Sequence, residues 1–214
     1  MATIKVLGGT GYAGSNIVRE AVKRGHQVTS YSRTLPEDAV SGADYQAGSV
    51  LDPAVLADAV AGADVVIASL SPRGDMVGKV EGVLDALAEL AKDSGVRLGV
   101  VGGAASLLVA PGGPALMDAG GFPEEILPEA RTGQALLEAL KASDEVLDWF
   151  YVSPAASFGA WVPGEATGQF RVGGDILLTD DEGNSNISGA DLATAIVDEI
   201  ETPAHRRQRF TVAY

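Results

Sequence analysis

Short apolar, β-branched runs alternate along this chain with stretches whose apolar positions recur every three or four residues. Residues 4–7 (I-K-V-L) pass directly into Gly8-Gly9-Thr10-Gly11, and an amphipathic stretch follows to about Arg24. That order predicts strand, tight turn and helix, and Lys23-Arg24-Gly25 supplies a basic last turn followed by a glycine stop. Residues 27–31 predict a second strand ending in Ser32-Arg33, and 44–47 a short third one closed by Gly48-Ser49. Asp52-Pro53 is an N-cap followed by proline at the first helical position, so a helix should run to about Ala61. Residues 64–69 lack polar alternation, which predicts a strand buried on both faces. A long helix over 76–94 follows from apolar residues at 80, 83, 84, 87, 90 and 91, and 97–101 reads as a fifth strand.

Beyond Ser106 the pattern loosens. Residues 107–127 are rich in Gly, Pro and Ala without periodicity, which predicts a lid or binding loop. A helix over about 128–142 and a strand over 147–152 come next. From Ser153 the residues Pro154, Pro163, Gly164, Gly168, Gly173 and Gly174 punctuate short strand-like pieces at 169–172 and 176–179. Residues 183–186 predict a turn, Ser188 an N-cap, 191–200 a helix and 209–213 a last strand. The segment of about 153–188 should form a small cap over the C-terminal edge of the sheet. The whole rhythm is βαβ, so the expected fold class is α/β: a doubly wound parallel sheet of Rossmann type with helices on both faces, residues 1–214 forming one domain.

Composition narrows the function. With 46% apolar residues and a net charge of −14, the 214-residue chain should repel nucleic acid and anionic lipid, and no basic stripe offsets that charge. The absence of cysteine removes disulfides, thiolate metal sites and cysteine nucleophiles, and two histidines (His26, His205) cannot build a histidine-rich metal site. No apolar run reaches the roughly 20 residues of a membrane span, and the chain enters a strand within three residues with no basic leader. The expectation is a cytoplasmic protein acting on a small molecule; nothing in the pattern indicates an oligomeric state.

The chemistry is concentrated in the first turn. Glycines at 8, 11 and 14, between a strand and a helix, allow a sharp turn, close approach of a pyrophosphate and tight helix–strand packing. The helix opening near Tyr12 then aims its unpaired N–H groups and positive dipole end at that phosphate. About twenty residues on, where a carboxylate would bind a ribose 2′-hydroxyl, stands Tyr31-Ser32-Arg33-Thr34. Arg33 favours a 2′-phosphate, hence NADP(H), with NAD(H) also possible.

These residues carry a resemblance. Gly8-Gly9-Thr10-Gly11-Tyr12-Ala13-Gly14 with Tyr31-Ser32-Arg33 resembles the atypical short-chain dehydrogenases of the NAD(P)H-binding group. Gly48-Ser49-Val50-Leu51-Asp52, Val100 to Leu107, and the stretch from Leu147 to Gly174 with the tail R-Q-R-F-T-V are similar to its bacterial NADH-flavin reductase-like branch, to which biliverdin reductase B is related. The resemblance implies that Gly8, Thr10, Gly11, Tyr12, Ala13 and Gly14 hold the pyrophosphate, and that Ser32 and Arg33 take the adenosine ribose or its phosphate. It places Ser49 and Val50 at the adenine, although Ser49 stands where the family has aspartate. Ala68, Ser69 and Leu70 would line the cofactor, Gly102, Gly103 and Ala104 would face the nicotinamide, and Pro154 and Ala155 would close the pocket.

Carbonyl-reducing members of that superfamily use a Tyr-x-x-x-Lys pair to protonate the developing alkoxide. None of the five tyrosines (12, 31, 45, 151, 214) has a lysine four positions later, and Ser106 occupies the place of the usual serine alone. Ketone reduction and sugar epimerisation are thereby disfavoured, unless Tyr151 or Asp118 serves as an unusual acid. Reduction of a flavin, quinone or similar planar acceptor does not need the pair, since charge delocalises over the acceptor ring and solvent supplies the proton. The flavin would then be a substrate, with Ser106 positioning it. Met117, Phe122, Phe158 and Trp161 could form a flat slot, and Arg131 and Arg171 could meet an acidic group on the acceptor. The competing reading is a non-catalytic sensor of NADP(H).

Overall fold

The computed structural model describes residues 1–214. Val65–Ala68 (β4) is buried along its whole length, as its lack of polar alternation requires. It lies between Thr3–Leu7 (β1) and Arg97–Val101 (β5), parallel to both. Outward from β1 come Gln27–Ser32 (β2) and Ala43–Ala47 (β3); outward from β5 come Trp149–Pro154 (β6), Gln208–Ala213 (β8) and the short Arg171–Gly173 (β7). The order is β3-β2-β1-β4-β5-β6-β8-β7, and only the β7–β8 edge is antiparallel. Strand order reverses between β1 and β4, and ligands of open α/β sheets bind outside the carboxyl ends at such a point.

Each face of the sheet carries its own apolar core. On one face Tyr12–Lys23 (α1) and Gly189–Glu201 (α5) bring Ile17, Val18, Leu192 and Ile196 against Ile4, Val6, Ile67 and Phe150. On the other, Pro53–Val60 (α2), Val80–Ser94 (α3) and Leu127–Ala142 (α4) bring Leu56, Leu84, Leu87 and Leu137 against Leu7, Val66, Leu98, Trp149 and Tyr151. The alternation of side chains along each strand divides the two sets. The doubly wound α/β class follows.

Both predicted caps form. The Asp52 carboxylate accepts from Ala54 N–H at 2.9 Å, and Ser188 Oγ accepts from Asp191 N–H at 3.0 Å. Asp52 is exposed and its cap is local, so Asp52→Ala should lower the unfolding free energy by about 1 kcal/mol in urea titration with an unchanged slope. A shift below a few tenths would mean that Pro53 alone holds the helix start.

Several elements differ from expectation. The long helix starts at Val80 rather than 76, because Gly74–Met76 form a 3-10 turn and Gly78 adopts φ +69°, a left-handed conformation that interrupts helix. The strand predicted over 147–152 starts at Trp149 and reaches Pro154, Leu147 being drawn into a turn through its N–H to Asp144 O. The piece at 169–172 contracts to Arg171–Gly173, and 176–179 is not a strand: Leu108 N–H donates to Asp175 O and Leu177 N–H to Leu108 O, so this backbone pairs with the loop instead. That loop, 107–127, is thus tied to the segment after β7. It holds 3-10 turns at Leu116–Asp118 and Glu124–Ile126, and Leu107 and Met117 are buried.

Candidate active site

The turn after β1 is shaped by backbone meeting backbone. Gly8 has φ +81°, and a Cβ there would stand 2.2 Å from Ser69 O at the end of β4. A Cβ on Gly14 would stand 2.2 Å from Gly8 O, and one on Gly9 2.1 Å from Ser30 Oγ on β2. Gly11 N–H closes the turn on Gly8 O at 3.0 Å. The glycines thus press three strands and one helix together at the point where strand order reverses.

Above that turn α1 begins bare. Its N-cap is Gly11, which has no side chain to cap with, and the first turn carries no acidic residue. The first intrahelical bond from this end is Ser15 N–H to Gly11 O, which leaves the N–H groups of Tyr12, Ala13 and Gly14 without a protein acceptor. Three unpaired donors at a positive helix end, beside half-buried Gly8 and exposed Thr10 and Gly11, fit a pyrophosphate. The Tyr12 side chain turns elsewhere: its hydroxyl donates to Pro163 O at 2.9 Å and accepts from Gly189 N–H at 3.0 Å, and its ring packs on Phe158. Its contribution at the phosphate end is therefore its backbone, with the phenol holding the segment around 158–163 over α1.

The adenosine side differs from expectation in one respect. Ser32 is buried and its hydroxyl donates to Thr34 O, shaping the turn. Arg33 is 68% exposed at its side chain but not free: Nη1 donates to both carboxylate oxygens of Asp75, at 2.6 and 2.8 Å. Asp75 comes from the 3-10 turn after β4, and the Arg33 guanidinium holds its carboxyl below the usual carboxylate range. Ser49 Oγ accepts from Leu51 N–H and Ser49 O from Asp52 N–H, so this residue closes the turn into α2. Val50 is half-buried and lines an open groove between α2 and α3 with Leu56, Val83 and Leu90.

At the other end, β5 runs into Gly102-Gly103-Ala104. A Cβ on Gly102 would lie 1.9 Å from the Tyr151 hydroxyl, whereas one on Gly103 would meet nothing within 4 Å. Tyr151 is fully buried and donates to Gly133 O on α4 at 2.9 Å; burial pushes its phenol up to about 12. That bond to the half-buried Gly133 and the raised phenol leave Tyr151 poorly placed to serve as an unusual acid. Ser106 Oγ accepts from Arg209 Nη1 at 2.9 Å, and the same guanidinium binds Asp175 Oδ1 through Nε at 2.8 Å and Nη2 at 2.6 Å. Ala68 is buried with Ser69 and Leu70 half-buried at the end of β4, and Pro154 and Ala155 are buried at the end of β6.

The four residues expected to form the slot divide. Met117 is core and Phe158 packs on Tyr12, while Phe122 is half-buried. Trp161 is 70% exposed with the Arg73 guanidinium 5.7 Å from its ring, joining the cap to the loop after β4. Arg171 is spent on the carbonyls of Thr179 and Tyr214; Arg131 and Asp118 are exposed. The reading of the sequence missed Gly9, Asp75, Arg73 and Arg209. Gly9 adjoins the glycine motif and could have been found there; the other three are separated from their partners by tens of residues and carried no local signal.

The family model described as NAD(P)H-binding matches residues 8–203. A solved structure named as an exported protein of Burkholderia pseudomallei is 42% identical, covers all of both chains and superposes with TM-score 0.88. A candidate NADH-flavin reductase of Streptococcus pneumoniae is 32% identical over 100% of this chain and 99% of its own, with TM-score 0.89. A candidate epimerase of Bacteroides thetaiotaomicron is 34% identical over 100% and 97%, with TM-score 0.88. No helix of the chain is long and apolar enough to cross a membrane.

Proposed function

The chain belongs to the NAD(P)H-binding family, and from that premise we propose that it is a reductase that passes hydride from NADP(H), or less readily NAD(H), to a flavin, quinone or similar planar acceptor. Bound NAD(P)H supplies the hydride. The chain's own residues do the rest: the backbone of Gly8 to Gly14 holds the pyrophosphate, Arg33 the 2′-phosphate, and the ends of β4, β5 and β6 wall the nicotinamide.

One observation carries the choice of acceptor. On α4, the helix where a proton-donating tyrosine would stand, residues 130–135 read A-R-T-G-Q-A, and the phenol that reaches this helix from β6 is buried and bonded to the Gly133 carbonyl. A ketone or a sugar intermediate would find no tyrosine–lysine pair, which argues against the chemistry named for the Bacteroides neighbour. An acceptor that spreads charge over its own rings fares better, in keeping with the name of the Streptococcus neighbour.

The test is steady-state oxidation of NADPH and NADH with FMN, riboflavin and a quinone. Turnover with a planar acceptor and none with simple ketones supports the reading. Tight NADPH binding with no turnover on any acceptor overturns it in favour of a sensor. Arg33→Ala should weaken NADPH about ten- to a hundredfold while leaving NADH nearly unchanged, as loss of a charge-assisted bond to the 2′-phosphate requires. Asp75→Asn should move the same ratio the opposite way by a smaller factor, since Asp75 competes for that guanidinium. Equal losses for both cofactors in Arg33→Ala would remove Arg33 from the 2′-phosphate.

A further inference from the structure

We propose that the acceptor carries no charge: an isoalloxazine or quinone ring without a phosphate or carboxylate, so that riboflavin is reduced in preference to FMN. This rests on the reductase reading above and names the class of molecule that its site accepts.

Five helices begin at the carboxyl edge of the sheet, where cofactor and acceptor meet, and each start is a positive end with orphan N–H groups. Four of these ends are served from within the chain. Asp52 caps α2. Glu81 lies in the first turn of α3 and Glu129 in that of α4, which Glu124 and Glu125 precede. At α5, Ser188 Oγ accepts from Asp191 N–H, the Tyr12 phenol accepts from Gly189 N–H, and Asp191 adds a carboxylate. Only α1 begins with neither a side-chain cap nor an acidic first turn, and in the reading above the pyrophosphate takes that end.

The cations at this edge are engaged in the same way. Arg33 serves the 2′-phosphate and has Asp75 as its counter-ion. On the acceptor side Arg73 Nε donates to Glu129 at 2.5 Å, with the guanidinium beside the Trp161 ring. Arg209 is buried against Asp175, and Arg171 is bonded to the carbonyls of Thr179 and Tyr214. Arg131 is exposed on the outer side of α4: Glu129, Thr132 and Gly133 form the face that meets Arg73, Glu81 and Tyr151, and helical periodicity turns Arg131 away from it. Neither arginine expected to meet an acidic acceptor is therefore placed to do so.

The charge left over is negative. Asp118, Glu124 and Glu125 are exposed acids outside the ion pairs of this edge. Asp118 follows Met117, whose N–H donates to Ala105 O in the turn after β5, and the two glutamates lead into α4. The whole chain carries −14, and bound NADPH adds its own phosphates. The phosphate of FMN, with about two charges of the same sign, meets that repulsion with no cation or helix start to offset it. Riboflavin has the same ring without that charge. It takes the hydride as FMN would: the electron pair passes to the ring, NAD(P)H leaves as NAD(P)⁺, and solvent protonates the reduced ring.

The test is NADPH oxidation by the full chain with riboflavin and with FMN, from about 10 mM to about 0.5 M ionic strength. The two flavins share one ring and one chemistry, so their ratio isolates the phosphate. In kcat/KM, riboflavin should lead about tenfold at the lowest ionic strength and less than about twofold at the highest, where screening cuts the repulsion off within about 4 Å. A second readout needs no turnover: by flavin fluorescence, riboflavin should bind the NADP⁺-saturated protein about tenfold more tightly than FMN at low salt. Glu124→Lys/Glu125→Lys, on an exposed turn, should raise kcat/KM for FMN about three- to tenfold and leave that for riboflavin within about twofold. Equal use of the two flavins at low salt, or a preference for FMN, overturns this proposal alone. So does a loss confined to FMN in Arg73→Gln or Arg131→Gln, which would reveal a cation serving the phosphate. A riboflavin preference that neither salt nor the charge reversal moves also overturns it, because fit rather than charge would then exclude FMN. If only a quinone turns over, the binding ratio decides in the same terms. A wild type inactive on every acceptor overturns the reductase reading and this proposal with it.

Discussion

Gly14→Ala should lower NADPH affinity about a hundredfold and cost about 1–3 kcal/mol of stability, where Gly11→Ala should leave the fold nearly untouched. The two glycines belong to one motif but meet different neighbours. A methyl on Gly14 would sit 2.2 Å from Gly8 O, 2.8 Å from Gly9 Cα and 2.9 Å from Gly8 C, all main-chain atoms that no rotamer change can move. The helix would have to lift from the turn, which carries the free N–H groups of residues 12–14 away from the phosphate position. A methyl on Gly11 meets only Gly8 O at 3.3 Å, a contact that a small shift relieves. In a chain of this length the Gly14 variant should melt about 2–12 °C lower. Thermal unfolding with and without NADPH separates the two effects. A Gly14→Ala protein that is destabilised yet still gains the wild-type increment from NADPH would sever the packing role of this glycine from cofactor binding.

That contrast shows what sequence can and cannot reveal here. The alternation of apolar runs and helical periodicity identified the strands and helices to within a few residues, because each buries a face through its own local pattern. The caps at Asp52 and Ser188 were equally local, since acceptor and donor lie within three residues. The glycine spacing pointed to the turn, although Gly9 packs against Ser30 on β2 rather than serving the turn itself. What stayed hidden depends on side chains meeting across the sheet's edge. Arg33 reads as a free cation until Asp75, 42 residues on, is seen to hold it. Arg209 reads only as the start of the last strand until Asp175 and Ser106 are seen to enclose it. The apolar piece at 176–179 had the composition of a strand but not the partner, because β8 is already paired by Arg171–Gly173.

A second large effect is expected far from the crevice. Glu199→Ala should destabilise the protein by about 2–4 kcal/mol without altering NADPH affinity of the folded fraction, since it takes from a buried arginine its nearer carboxylate and leaves only Asp148 Oδ1 at 3.4 Å. Arg97, at the start of β5 and so at the opposite edge of the sheet from Gly102, donates to Glu199 Oε1 at 2.6 Å and to Glu199 O at 2.8 Å, and its guanidinium stacks 4.7 Å from the Phe150 ring centre. Glu199 in turn accepts from the N–H groups of Ala204 and His205, fixing the turn from α5 into β8. Burial pushes the Glu199 carboxyl up, but these bonds, Arg97 first, pull it further down, and the net result lies below its ordinary 4.5. A carboxyl depressed in the folded state contributes stability above its unfolded value and loses it as pH falls through the folded one. The gap between wild type and Glu199→Ala should therefore be full near neutrality and narrow below about pH 4.5. Glu20, Asp191 and Glu201 are depressed too, so both proteins weaken in acid, and the difference between them isolates Glu199. Arg97→Met/Glu199→Leu, which removes both charges and keeps apolar volume, should recover most of the loss. A double variant as unstable as Glu199→Ala would show that the turn into β8 depends on the carboxylate's backbone bonds rather than on pairing the arginine.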